Sequence, residues 1–221
     1  SKSVQRIDQC LTSIFNRLEG QIDTASMNHE FYKKVTSQDI HVLFGVEAIN
    51  IEEDNVITNR GDIQSENIAI CTNGFGKALI PSEDISPARA QVIITKPIQN
   101  LKIKGTFHYN EGYYYFRNID NRILFGGGRN MDIEGETSIA LENTELIIKS
   151  LTSLLRDVIL PNTPFEIDHK WAGIMGVGKS KKPIIKKLGK HLYCGVRLGG
   201  MGIAIGTLVG KELALLICKN E

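Results

Sequence analysis

The carboxyl-terminal end of the chain constrains the fold most, because three different patterns follow one another there without a break. Residues 191–196 predict a strand, residues 198–202 are rich in glycine and predict a turn, and residues 203–217 form an apolar run that predicts a helix. Glycines let a backbone approach a ligand closely, and the start of a helix presents unpaired N–H groups. The unit therefore indicates a cradle for an anionic group or cofactor, with plain packing of helix against strand as the alternative.

The rest of the chain predicts an α/β protein with mixed sheets. Residues 68–72 form a continuous apolar run, which is typical of a strand buried on both faces. Residues 106–126 hold three short strand patterns separated by turns and predict a meander. Helical periodicity extends over residues 4–18 and, more strongly, over residues 142–160.

Composition and charge exclude several classes of function. The 221 residues include 26 basic and 25 acidic side chains, so the chain lacks the basic surplus typical of nucleic-acid binding. No apolar run approaches the roughly 20 residues that span a bilayer. The four cysteines form no CxxC pair and the five histidines show no ligand spacing. Reduced thiols and a cytoplasmic location are therefore expected, with no metal site.

One segment matches a nucleotide-binding pattern. Gly173 to Ser180 fits G-x-x-x-x-G-K-[ST], in which a loop opens a helix that holds phosphates. Pro183 comes four positions after Lys179 and leaves little room for that helix. No aspartate occurs after Asp168 to bind magnesium from a later strand. A P-loop nucleotide hydrolase is therefore kept as an alternative to the main interpretation.

An aromatic run marks one strand of the predicted meander. Alternation along the strand puts residues 113, 115 and 117 on one face and residues 114 and 116 on the other. One face could line a substrate pocket, for which His108, Tyr115 and Arg117 are the candidate residues. An aromatic-rich, half-buried sheet is the alternative, because aromatic side chains favour strands in any case. No G-x-S-x-G pattern or other catalytic triad signal occurs, so no catalytic residue is identified.

Four parts of the sequence, taken in order, resemble the glycine/D-amino-acid oxidase (DAO) family of FAD-dependent oxidoreductases. They are GVEAI (45–49) with IAICTNG (68–74), then PARAQV (87–92), WAGIMG (171–176) and RLGGMGIA (197–204). The resemblance extends over most of the chain. It implies an FAD-binding domain interleaved with a substrate domain built on a mixed β-sheet. The implied reaction moves a hydride from a C–H beside an amine nitrogen to the flavin.

The resemblance also implies roles for individual residues. In the family, the first of these segments contacts the adenine, the end of the next strand approaches the cofactor, and the glycine turn covers the pyrimidine end of the flavin. The implied cofactor-binding residues are Val46, Thr72, Asn73, Gly74, Leu198, Gly199, Gly200, Met201, Gly202 and Ile203. Met175, in the strand that returns toward the flavin, joins the substrate-binding candidates. Ile174 and Met175 stand where relatives that oxidise free amino acids often have an arginine.

The family pattern also predicts how this chain should bind FAD by itself. Family members begin with a strand–GxGxxG–helix unit that binds the FAD pyrophosphate, and the 221 residues contain no GxGxxG. We therefore expect FAD to be absent or weakly bound in this chain. Residues 171–180 contain no cysteine, so FAD in the full-length protein should be non-covalent. We expect small amine or amino-acid substrates as partners, without nucleic acid or a membrane span.

The expected domains follow from the same pattern. Residues 1–84 would form a partial FAD-binding domain, residues 85–170 a substrate-binding domain, and residues 171–221 the return segment that completes the first domain. A truncated, non-enzymatic binding scaffold is the second alternative to the oxidoreductase.

Overall fold

The computed structural model describes residues 16–219 and confirms an α/β chain with mixed sheets. The helices are α1 (Thr24–Thr36), α2 (Gly76–Leu79), α3 (Glu145–Leu154) and α4 (Gly202–Cys218). The strands are β1 (Ala48–Glu52), β2 (Asn55–Thr58), β3 (Gly61–Gln64), β4 (Ile68–Ile70), β5 (Ser86–Thr95), β6 (Thr106–Tyr109), β7 (Tyr114–Ile119), β8 (Arg122–Gly127), β9 (Ile167–Val177), β10 (Ile184–Lys187) and β11 (Leu192–Val196). Residues 4–15 of the predicted amino-terminal helix lie outside the described residues.

The described chain forms two compact units. Unit 1 holds residues 16–21 and Arg89–Ile174, and unit 2 holds Ile22–Ala88 and residues 175–219. Unit 2 is therefore made from two separate stretches of sequence. The division of the chain into a flavin-binding and a substrate-binding domain stays a prediction.

The strand, turn and helix predicted at the carboxyl end are present in unit 2. Strand β11 pairs in parallel with β4 and antiparallel with β10, and α4 packs on β11. Gly195 permits this packing, because a Cβ there would lie 2.9 Å from Cδ2 of Leu213. The core beneath holds Ile70, Ile80, Ile85, Cys194 and Val196. The prediction of β4 as buried on both faces is wrong, since Ile68 and Ile70 are buried but Ala69 between them is exposed.

A second sheet in unit 2 joins β1, β2 and β3 in antiparallel order. Its first strand begins at Ala48, because the chain turns just before it and Gly45 has a φ of +70°. Val46 therefore lies in the segment that leads into β1 and is half-buried there.

Unit 1 is built on a five-stranded sheet with the order β6-β7-β8-β5-β9. Helix α3 packs on one face, where Tyr114, Phe116, Phe125, Ile147 and Leu151 form the centre of the core. Residues 114 and 116 of β7 share one face, as the alternation predicts, and the structure shows that this face is the buried one. The long helix predicted over residues 142–160 is shorter at its start and changes form at its end. It begins at residue 145 and finishes as a π-helical turn over residues 155–159.

The first residues of that predicted helix belong instead to a buried polar network. The side-chain amide of Gln91 donates to Glu136 Oε1 at 2.9 Å, and its carbonyl oxygen accepts from the N–H of Thr144 at 2.8 Å. Arg89 donates from Nη2 and Nε to the two carboxylate oxygens of Glu136, at 2.8 and 3.0 Å. These bonds tie the segment between β8 and α3 to strand β5.

Electrostatics match this burial. Arg89 is 4% exposed and Glu136 is 1% exposed, so the ion pair is cut off from water. Burial alone would raise the pKa of Glu136, but hydrogen bonds from Arg89 and Gln91 outweigh burial and lower the pKa below its ordinary value. The carboxylate is therefore charged and satisfied in the folded protein.

The P-loop lookalike has the wrong local structure for phosphate binding. Residues 173–177 are part of strand β9, and the chain then passes through a short loop into strand β10. The first described helix after Ser180 is α4, which begins at Gly202. A P-loop needs its helix directly after the lysine and serine. The alternative of a P-loop hydrolase at Gly173–Ser180 therefore loses its structural basis.

Candidate functional site

The glycine turn between β11 and α4 is shaped by its backbone. Arg197, Gly199 and Gly200 all have left-handed conformations, with φ values of 63°, 57° and 83°. A Cβ on Gly200 would also lie 3.2 Å from Sδ of Met175. Glycine at residue 200 therefore satisfies both the conformation and the space.

Two other segments of unit 2 meet this turn. The N–H of Leu198 donates to Oδ1 of Asn73 at 3.0 Å, and the N–H of Gly199 donates to the carbonyl of Gly176 at 2.9 Å. Gly176 lies so close that a Cβ there would be 2.5 Å from Oδ1 of Asn73 and 3.0 Å from N of Gly74. The predicted residues Asn73, Gly74, Leu198 and Gly199 are thus brought together.

The start of α4 completes the cradle. Met201 is the N-cap and makes no side-chain capping bond, and the first turn carries no acidic residue. The N–H of Ala204 bonds to the carbonyl of Met201 at 3.0 Å. The N–H groups of Gly202 and Ile203 belong to the first turn, where a helix offers no acceptor. A helix of 17 residues with this terminus can stabilise negative charge.

The remaining cofactor candidates of unit 2 lie around this cradle or apart from it. Thr72 is exposed and precedes the short 3-10 turn that contains Asn73 and Gly74. Val46 takes no part in the hydrogen bonds among Asn73, Gly176 and the glycine turn. The cofactor-binding roles of all ten residues stay predictions.

The substrate candidates of unit 1 share the face of the sheet opposite α3. The strand register pairs His108 with Tyr115, and Tyr115 with Gly126. The Tyr115 ring lies over Gly126, because a Cβ there would be 2.7 Å from both Cζ and the hydroxyl oxygen of Tyr115. Arg117 follows on the same face and is half-buried, whereas His108 is exposed. The fourth candidate, Met175, belongs to unit 2, where it lies beside Gly200.

The surroundings of Tyr115 influence its protonation. Burial raises the pKa of the Tyr115 hydroxyl above its ordinary value. A tyrosine hydroxyl is protonated at neutral pH in any case, and the raised pKa extends that state to higher pH, so the group can donate a hydrogen bond.

Sequence reasoning missed two residues that shape these surfaces. Gly126 was expected only as the end of a strand, yet it makes room for the Tyr115 ring. No sequence pattern marks Asp84 as part of the site, yet its carboxylate accepts a hydrogen bond from Arg197 at the start of the glycine turn, at 2.7 Å. The pairing of the predicted strands could have suggested the role of Gly126. The second contact joins residues 113 positions apart, and no local pattern announces it.

Residues 16–219 contain no group of three His, Cys, Asp or Glu side chains arranged to hold a metal. Their helices are all too short or too polar to cross a membrane. Cys71, Cys194 and Cys218 are free thiols.

Comparison with known proteins identifies the family. The sequence matches the family described as DAO, FAD dependent oxidoreductase, over residues 3–216. The match covers nearly the whole chain, and the chain belongs to this family of flavin-dependent oxidoreductases.

Individual relatives are distant in sequence but similar in fold. The chain is 21% identical over 180 residues to the probable oxidoreductase OrdL of Haemophilus influenzae, covering 75% of this chain and 39% of that protein. Its fold is similar to that of L-proline dehydrogenase from P. horikoshii, with a TM-score of 0.72, 19% identity, and 89% and 56% of the two chains covered. Glycine oxidase from Geobacillus kaustophilus gives a TM-score of 0.68, 16% identity, and 84% and 51% coverage. The chain thus spans roughly two-fifths to just over half of these relatives.

Proposed function

We propose that this chain forms the flavin-facing and substrate-facing part of an FAD-dependent oxidoreductase that oxidises the C–N bond of an amine or amino acid. One observation carries the proposal. Backbone groups around Asn73, Gly176 and Gly199 converge at the start of helix α4, in a turn where Gly199 and Gly200 carry no side chain. Family membership supplies the ligand that such a turn would hold, which is FAD.

The residues of the turn fit the pyrimidine end of a flavin. Gly200 has no side chain to obstruct a flat ring, and the N–H groups of Gly202 and Ile203 have no acceptor in their own helix. FAD supplies the hydride acceptor for the oxidation. The N–H groups at the helix start would stabilise negative charge on the reduced ring. Thr72, Asn73, Gly74 and Val46 would complete the cofactor contacts.

The substrate would be a small amine or amino acid. The names of two structural neighbours, an L-proline dehydrogenase and a glycine oxidase, support this class. In unit 1 the protonated hydroxyl of Tyr115 can donate a hydrogen bond, and Arg117 brings positive charge to the same face of the sheet. His108 and Met175 complete the proposed substrate contacts.

The cofactor would be held without a covalent bond. Residues 171–180, which return toward the proposed flavin site, contain no cysteine, and none of the 221 residues forms a GxGxxG. We expect weak FAD binding by these residues alone, because the helix start at α4 supplies only part of a dinucleotide site. A non-enzymatic scaffold would retain this weak binding but show no oxidation of any amine.

The proposal is tested by comparing two variants of the protein at its natural length. Gly200→Val should raise the dissociation constant of FAD by about fivefold to about 150-fold, since a branched residue at this φ costs about 1–3 kcal/mol. Lys179→Ala should leave FAD binding unchanged, because Lys179 lies in the exposed loop after β9. Equilibrium titration of FAD and steady-state amine oxidation measure both. Loss of FAD binding and of amine oxidation in Lys179→Ala, with both unchanged in Gly200→Val, would reject the proposal.

A further inference from the structure

Arg197 adopts a backbone conformation that its side chain opposes. It immediately precedes the glycine turn, has a φ of 63°, and is only 9% exposed. A residue with a Cβ is uncommon in this region of conformational space and stays there only when its surroundings hold it. The contacts of its guanidinium show what holds it.

The guanidinium is clamped by two segments of unit 2. Nη1 of Arg197 donates to Oδ2 of Asp84 at 2.7 Å and to the Asp84 carbonyl at 3.0 Å. Nε donates to the carbonyl of Lys182 at 3.0 Å. The same Oδ2 of Asp84 accepts from the N–H of Lys179 at 3.0 Å. Planar guanidinium with three fixed acceptors is a rigid arrangement that lysine cannot reproduce.

The clamp is also tightly packed. A Cβ on Gly178 would lie 2.7 Å from Cδ of Arg197 and 2.5 Å from the carbonyl oxygen of Asp84. The loop after β9 therefore packs so closely against the Arg197 side chain that residue 178 cannot carry a side chain without displacing its neighbours. This packing restricts the rotamer of Arg197, in addition to the hydrogen bonds that hold its guanidinium.

The direction of the turn follows from this anchor. The chain leaves β11 at Val196 and reverses at Arg197, and only then do the next two N–H groups reach their acceptors on Asn73 and Gly176. A change of backbone conformation at Arg197 would move Leu198 and Gly199 away from both acceptors. The side chain of Arg197 is thus connected to the shape of the turn through its own backbone.

We propose that Asp84 and Arg197 are a positioning pair that sets the glycine turn in its cofactor-binding shape before the cofactor arrives. The inference rests on the proposed function, in which the turn meets the flavin. Neither residue is proposed to touch the flavin or the substrate. A turn held in place beforehand binds its ligand more tightly, because less conformational freedom is lost on binding.

The test uses Arg197→Gly, Arg197→Lys and Asp84→Asn, with Glu83→Gln as the matched control. Glu83 neighbours Asp84 and pairs with Lys186 at 2.7 Å, and its carboxylate makes none of the bonds that hold Arg197. Glycine accepts the φ of residue 197 without strain, so Arg197→Gly removes the clamp while permitting the conformation. Hydrogen exchange of the Leu198 and Gly199 amides is measured in cofactor-free protein, relative to Cys194 in β11. FAD affinity is measured separately.

We expect Arg197→Gly to speed exchange at both amides by at least about tenfold while Cys194 is unchanged, and to weaken FAD binding about tenfold, or about 1.4 kcal/mol. Arg197→Lys should change amide exchange and FAD affinity less than Arg197→Gly does. The double variant with Arg197→Gly and Asp84→Asn should differ little from Arg197→Gly alone. Glu83→Gln should alter neither amide. Should Arg197→Gly refold poorly, Asp84→Asn carries the same comparison with nearly unchanged shape.

The outcomes separate this inference from the proposed function. Unchanged exchange in both Arg197→Gly and Asp84→Asn would overturn the positioning role, and so would equal acceleration at Cys194, which would indicate general destabilisation. Faster exchange at the turn, together with a wild-type protein of natural length that binds no FAD, would keep the clamp and reject the flavin site. Faster exchange with unchanged FAD affinity would overturn the claim that the clamp serves cofactor binding.

Discussion

The two units build their candidate surfaces by different means. In unit 2 the surface is made by the backbone, through left-handed residues and N–H groups around Gly199 and Gly200. In unit 1 it is made by side chains, with the Tyr115 ring laid over Gly126. The Arg89–Glu136 ion pair is buried elsewhere in the same unit, on the side of the sheet that faces α3.

This difference predicts different weaknesses. A surface made by the backbone suffers when atoms are added, because a new Cβ meets the fixed positions of other main-chain groups. A surface supported by buried side chains suffers when atoms are removed, because their partners are left unpaired. Exposed charges of unit 2 should therefore be easy to remove, and the buried charges of unit 1 should not.

The largest effect is expected from Arg89→Ala. Removal of the guanidinium leaves the carboxylate of Glu136 buried and without its cation, which should lower the free energy of unfolding by about 3 kcal/mol or more. Urea unfolding followed by circular dichroism measures this loss. Lys96→Ala is the control in the same unit, because Lys96 pairs with Glu166 at 2.6 Å in full contact with water. It should change stability little. Equal losses of unfolding free energy in Arg89→Ala and Lys96→Ala would show that burial of the Arg89–Glu136 pair does not increase its contribution to stability.

How much of this contrast the sequence could predict depends on the range of each contact. The strand–turn–helix order around Gly200 and the alternation of Tyr114 and Tyr115 are local patterns, and both are present. The bond from Leu198 to Asn73 joins residues 125 positions apart, so no local periodicity encodes it.

Helix boundaries show the same limit. Helical periodicity begins at residue 142, but Asn143 and Thr144 are taken up by hydrogen bonds with Gln91, and α3 starts after them. Tertiary hydrogen bonds outweighed local propensity at this end. For the candidate site, the sequence indicated segments that the structure brings together at the glycine turn, whereas the supporting residues Asp84 and Gly126 required the structure.

The acid side of the stability profile should depend on Glu136. Its pKa is lowered in the folded protein, so the unfolded chain binds protons more readily there and stability rises with pH. The contribution is fully present above the ordinary pKa of glutamate and is lost as pH falls through the lowered value. Glu136→Gln should flatten this part of the curve of unfolding free energy against pH. A variant that keeps the wild-type slope would mean that another carboxylate controls acid unfolding.

A moderate effect is expected when an atom is added to unit 1. Gly126→Ala should lower stability by about 1 kcal/mol, at the low end for overpacking, because the Tyr115 ring can swing aside. The displaced hydroxyl should then reach water, and the pKa of Tyr115 should fall toward its ordinary value. Ultraviolet titration of the tyrosinate band follows this change. Gly173→Ala is the control, since no atom lies within 4 Å of a Cβ there. An unchanged tyrosine titration in Gly126→Ala would contradict the packing of Tyr115.

The smallest effect is expected from a charge of unit 2. Nζ of Lys187 lies 5.4 Å from the centre of the buried Tyr193 ring, a cation–π contact at an exposed position. Lys187→Met keeps the apolar stem and removes the charge, so it should cost only about 0.5 kcal/mol. Lys190→Met removes a nearby exposed charge and should cost less still. Thermal unfolding of the two variants is measured at low and at high salt. Salt should reduce the stability difference between wild type and Lys187→Met, because it screens the electrostatic part of the Lys187 contact. A loss in Lys187→Met that equals the loss in Arg89→Ala would break the comparison, since unit 2 would then depend on side-chain charge as much as unit 1 does.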